Sequence, residues 1–196
     1  MGPTVGSSWK GIAVVKSKPL SVANPNTAGQ QAQRGALAQI VIVARLLLAN
    51  LIQPYWNPFA QRMSGYNSFV SENIAQFNSG GLSTPANFYS QRGSLLGQAS
   101  SSASATAAGN TVTVNWVDNS GQSDALATDE AVITYWNATQ DYWVVDAGNA
   151  VRSAGTRVIA DTLVANADVL HIYLGFSRPD ISKVSDSAYR TINAGA

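Results

Sequence analysis

The chain contains no cysteine, which excludes a disulfide framework, thiolate nucleophiles and cysteine-held metals. Histidine is nearly as scarce, since His171 stands alone. Charged residues make up only 12% of the 196 positions, about half the usual share for a soluble domain. A surface of neutral polar residues is weakly protected against self-association, because solubility leans on charge. This composition suits a subunit packed against neighbours.

Charge of one sign is missing altogether from the first 71 residues, where Glu72 is the first carboxylate. Lys10, Lys16, Lys18, Arg34, Arg45 and Arg62 stand in that segment, whereas the remainder holds all eleven carboxylates and six further cations. A net charge of +1 therefore divides into +6 and −5. Such a split speaks about partners more than about fold. It fits a basic arm for an anionic partner, or the basic end of one molecule meeting the acidic end of the next.

A long uninterrupted hydrophobic run is missing too. Gln39, Arg45 and Asn50 interrupt the longest apolar stretch, residues 36–52. A membrane span needs about 20 predominantly apolar residues, and a central arginine costs roughly 2.5–3.5 kcal/mol. A buried helix, not a span, is expected. The first ten residues lack the basic start and apolar run of a signal peptide. Gly6 stands where the myristoylation pattern wants Ser or Thr.

What is present reads as an α+β chain. Residues 11–16 form a short strand, closed by Pro19. Pro25 pushes Asn24 out of the helical region, and Asn26 or Thr27 caps a helix over 28–53, with Gln30 at capping-box spacing from Thr27. Pro54 ends it. Asn57 and Pro58 then start a second helix, whose apolar face is Phe59, Met63, Tyr66, Val70, Ile74 and Phe77. From residue 82 the texture changes to alternation. Val112, Val114 and Trp116 share one face of a strand, as do Leu170, Ile172, Leu174 and Phe176, with His171 on the opposite, outward face. Residues 131–136 and 142–145 flank a hairpin at Asn137–Gln140, and the Ser/Ala-rich run 99–108 reads as a first edge strand. About seven short strands suit an antiparallel immunoglobulin-like β-sandwich. The organisation expected is a basic strand-and-helix docking module over 1–81 and an acidic sandwich over 82–196.

No constellation carries a reaction. His171 has no acid or nucleophile supplied by a local motif. Asp118, Asp124, Asp129 and Glu130 lack calcium-loop spacing and read as solvated turn charge. Residues 6–11 lack the lysine and following helix of a phosphate loop. Four cations across 25 residues are a thin footprint for nucleic acid, so a nucleic-acid partner is the weaker reading and charge-complementary packing between subunits the stronger. The candidate interface residues are Lys10, Lys16, Lys18, Arg34, Arg45, Phe59, Met63 and Tyr66. No catalytic residue, metal ligand or cofactor is expected.

The succession Trp9-Lys-Gly-Ile, Val15-Lys-Ser-Lys-Pro and Asn24-Pro-Asn-Thr-Ala-Gly-Gln-Gln-Ala-Gln-Arg resembles an uncharacterised family from Bacteroidota genomes and their phages. The stretches 63–67, 92–97, 116–121 and 173–176 are similar to it as well. The family has no established activity, so no residue role is carried over. The resemblance implies a protein made in the host cytoplasm and placed in the virion. The function expected is that of a non-enzymatic structural component of capsid, spike or tail, self-assembling or docked on other virion proteins. The alternatives are a surface adhesion sandwich binding glycan or protein, and an internal virion protein associated with nucleic acid.

Overall fold

A computed structural model of the chain describes residues 4–18, 21, 26–98, 102–106 and 110–195. Two compact units divide at Gln31 and Ala32, whereas the change of texture in the sequence lies at 81/82.

The first unit contains an antiparallel hairpin of β1 (Thr4–Trp9) and β2 (Ile12–Ser17). Lys10 and Gly11 make its two-residue turn, both at positive φ, 49° and 81°, the backbone that matches strand twist in a tight hairpin. The expected strand over 11–16 is its second arm. The first arm, with Gly6, Ser7 and Ser8, carries no apolar alternation to read. Pro19, the expected strand end, and Asn24 and Pro25, the expected pre-helical kink, lie outside the described residues. Thr27 does cap the following helix, its hydroxyl accepting from Gln30 N at 3.3 Å.

That helix, α1 (Ala28–Leu46), is shorter than the 28–53 expected. It buries Ala36, Ile40 and Ala44, one stripe at i, i+4 spacing. After Leu47 the chain makes a π-helical turn, Leu48–Ile52, and a helical turn, α2 (Gln53–Tyr55), set at 71° to α1. Ile52 N donates to Leu47 O, five residues back. Pro54 has no N–H for the carbonyl of Asn50 and would clash with it in a regular helix, and a π-turn with a bend relieves that conflict. Among the described residues, no single helix is long and apolar enough to cross a membrane.

The second helix also starts later than Pro58. Residues 57–64 are irregular, and Ser64 caps α3 (Gly65–Asn73) by accepting from Asn67 N at 3.2 Å. Asn57 contributes differently: its Oδ1 accepts from Gly65 N at 2.8 Å. The backbone crosses so closely there that a Cβ on Gly65 would lie 2.4 Å from Asn57 N. This crossing, not the proline, sets where the helix begins. The buried stripe is Gly65, Phe69 and Asn73. Of the expected face, Phe77 is buried, Phe59, Tyr66, Val70 and Ile74 are half-buried, and Met63 is exposed.

A two-stranded ribbon, β3 (Phe77–Asn78) and β4 (Gly81–Leu82), leads into the strand-rich part. Its strands are β5 (Ser102–Thr106), β6 (Thr111–Asn115), β7 (Glu130–Asn137), β8 (Tyr142–Val151), β9 (Thr156–Ala160), β10 (Val169–Ser177) and β11 (Ala188–Asn193). They form two antiparallel sheets, ordered β11-β10-β7-β8 and β5-β6-β9. The expected hairpin at 137–140 joins β7 to β8, with Asn137 Oδ1 accepting from Thr139 N and Gln140 N. β5 is an edge strand, as expected of the Ser/Ala-rich run; the rest of that run lies outside the described residues.

Between the sheets lie Val112, Val114, Trp116, Ile133, Tyr135 and the β10 residues Leu170, Ile172, Leu174 and Phe176. The other face of the four-stranded sheet is buried as well. Val132 and Tyr173 pack there against Ile40, Leu47, Leu51, Phe69 and Phe88. The layers of the second unit are thus sheet, sheet and helices, and β7 is buried at five consecutive positions, Ala131 to Tyr135.

Candidate docking surfaces

In the β1–β2 hairpin, every strand residue whose side chain is described is exposed. Direct cross-strand partners share a face, so the register places Val5, Ile12 and Val14 together, beside Lys16, and Val15 on the other side. Ile12 is 61% and Val15 72% exposed. A lone two-stranded hairpin is marginal in water, and exposed apolar strands with open edges are templates for pairing. Lys10, Lys16 and Lys18 are exposed on or beside the same hairpin.

The remaining sequence-derived interface residues belong to the second unit and do not gather at one place. Arg34 and Arg45 are exposed on α1, with Arg45 in the last turn, where a cation complements the helix dipole. Phe59 lines a small depression with Tyr55, Trp56, Ser68, Glu72 and Arg92, a set that includes neither Met63 nor Tyr66.

A larger feature escaped the sequence reading. A cleft of about 320 Å³ opens between Ile42 and Leu46 of α1 and the stacked indoles of Trp136 and Trp143, whose ring centroids are 5.9 Å apart at 15°. A second cleft of about 280 Å³ shares Leu46, Asp141 and Trp143 with it and continues along Tyr142 and Val145. Period-two counting could have placed Trp136 on the face of Val132 and Thr134, but nothing local says that α1 stops short of covering it.

The stack continues through His171, 5.2 Å from Trp136, to Tyr189 at 6.0 Å. His171 is therefore not the outward strand residue expected; it is half-buried, and Nδ1 lies 2.8 Å from the Tyr189 hydroxyl. Burial lowers its pKa below the ordinary 6.5, because desolvation penalises imidazolium. The native state then binds this proton less readily than the unfolded chain, so stability should fall as pH drops below 6.5 and level off beneath the native pKa. With one histidine in the chain the test is clean: between pH 7.5 and 5.5 the urea midpoint should fall in the parent and fall less in His171→Gln. Equal slopes would contradict the buried, neutral imidazole.

The carboxylates are not simply solvated turn charge. Asp129 is fully buried and ion-paired with both Arg152 and Arg178, and Asp124 pairs with Lys183 at 3.0 Å. Arg92 pairs with Glu72, and Arg157 with Asp146 at 2.7 Å. Five of the six cations beyond residue 71 are thereby matched within their own segment. Asp161 accepts from the Tyr135 and Tyr142 hydroxyls, both at 2.6 Å. Burial, then that hydrogen bond, pushes Tyr142 up to about 12 and Tyr135 higher still, so both phenols stay protonated and serve as donors, not bases. Asp168 accepts from Asn137, Gln140 and Ala165 N; burial works against its charge, but these hydrogen bonds leave its pKa lowered. Among the described residues, no group of three or more His, Asp or Glu side chains could hold a metal ion.

Residues 1–191 match a family of unknown function (DUF6266). No curated protein and no solved structure matches the chain.

Proposed function

Because the chain belongs to a family of unknown function, we propose a reading drawn from its own surfaces: a non-enzymatic structural protein that works by self-assembly. The β1–β2 hairpin is its docking arm, and the two-sheet part, read as an immunoglobulin-like sandwich, is the module it presents. The place suggested is a phage virion, assembled from protein made in the host cytoplasm. The hairpin carries this reading: an exposed ribbon with Val5, Ile12, Val14 and Val15 open to solvent gains most of its stability from a partner. The charge-poor composition and a +6 segment beside one that satisfies most of its own cations agree with contacts between copies.

Size-exclusion chromatography with light scattering tests it. The parent should run as an oligomer at low salt and dissociate partly at high salt, since exposed charge pairs are screened. Ile12→Asp combined with Val14→Asp should run as a folded monomer. A parent that is monomeric at high concentration and low salt would overturn the reading.

A further inference from the structure

We propose that the apolar face of the hairpin docks, in a second copy of the chain, into the groove between α1 and the outer edge of β8. This rests on the self-assembly reading and names the acceptor which that reading leaves open.

The groove has the chemistry of a strand acceptor. β8 is an edge of the four-stranded sheet and, among the described residues, pairs only with β7. Its free side offers backbone donors and acceptors to an incoming strand. The two clefts share Leu46, Asp141 and Trp143, and the second reaches Tyr142 and Val145 of β8, so a docked strand would have side-chain room as well as an edge to pair with. The helix wall is apolar and uncovered. Ile42 and Leu46, one turn apart on α1, are both exposed, Leu46 by 63%.

Charge favours the same occupant. The hairpin segment carries Lys10, Lys16 and Lys18 and no carboxylate. At the groove, Asp141 takes a hydrogen bond from the Trp136 indole at 3.1 Å and forms no ion pair among the described residues. A flat ligand such as a sugar ring fits less well. Trp136 has Trp143 beside it on one neighbouring strand and His171 on the other, so its ring faces are already used, whereas the aliphatic side chains of a strand need only the groove.

A cysteine-free chain makes disulfide mapping direct. Val14→Cys in one copy and Leu46→Cys in another, differently tagged, should form a linked heterodimer under mild oxidation. The yield should exceed by on the order of tenfold that of Val14→Cys mixed with Val117→Cys, an exposed control position, because docking raises the local concentration of the chosen pair. Leu46→Asp, at an exposed site, should weaken self-association on the order of tenfold. Equal linkage to both positions, or unchanged association of Leu46→Asp, overturns the proposal. So does linkage within a single chain carrying both cysteines at dilution, which would make the occupant the chain's own hairpin. If the hairpin variant loses assembly while Leu46→Asp keeps it, self-assembly stands and this acceptor fails. A parent that never associates removes both.

Discussion

Replacing Arg152 by methionine should cost about 3–5 kcal/mol of folding stability, the usual consequence of breaking a buried ion pair from one side. Arg152 is fully buried, and its guanidinium donates to Asp129 Oδ2 at 3.1 Å, Asn119 Oδ1 at 2.6 Å and Leu96 O at 2.8 Å. The same group lies 3.9 Å from the centroid of the Phe176 ring, a cation–π contact strengthened by desolvation. Methionine fills part of the volume but leaves Asp129 buried with Arg178 as its remaining ion-pair partner, and strips a donor from two further acceptors. For a chain of this length the loss corresponds to a fall in Tm of roughly 6–20 °C. Asp129→Asn should be similarly costly, and the double variant should cost less than the sum, because the two changes remove one shared interaction. Arg157→Met is the control. Its pair with Asp146 is partly exposed, so the cost should be about 1 kcal/mol or less. Chemical denaturation of the four proteins distinguishes these outcomes, and equal effects at 152 and 157 would refute the buried network.

Phe88→Ala should be comparably severe, at about 3–5 kcal/mol for a buried aromatic cut to a methyl group. Phe88 is 2% exposed and joins the helical layer to the sheet. Its ring lies 5.7 Å from Phe69 of α3 and 6.3 Å from Phe77, and 5.3 and 5.0 Å from Trp143 and Tyr173 on the sheet. Each well-oriented ring pair adds about 0.5–1.5 kcal/mol beyond area burial, and the truncation removes them together. Phe88→Leu, which retains most of the volume, should cost distinctly less. Tryptophan fluorescence reports the change locally, because Trp143 is a direct neighbour. A loss below about 1 kcal/mol for the alanine variant would mean that the helices do not pack on this face of the sheet as described.

Local chemistry carried much of the fold. Alternation at Val112 to Trp116 and at Leu170 to Phe176 identified strands and the face they turn to the core between the sheets. Asn137 marked the β7–β8 hairpin, and Thr27 the start of α1. Each of these rests on neighbours within a few residues, which is the range over which backbone propensity and side-chain period act. The docking surfaces were legible only in part. The basic residues of the hairpin were visible as a charge pattern, but the cleft at Leu46 and Trp143 was not, because its two walls lie about 97 positions apart in the chain.

The sequence by itself determined which residues share a face, where the chain can turn and how its charge is divided. Only the tertiary structure decided what covers each face. Tyr173 looks like the solvent side of its strand until the helices bury it, and Asp129 looks like turn charge until Arg152, 23 residues on, closes over it. A one-dimensional period states orientation relative to an element's own axis; burial depends on which other element arrives there, and that is set by long-range packing.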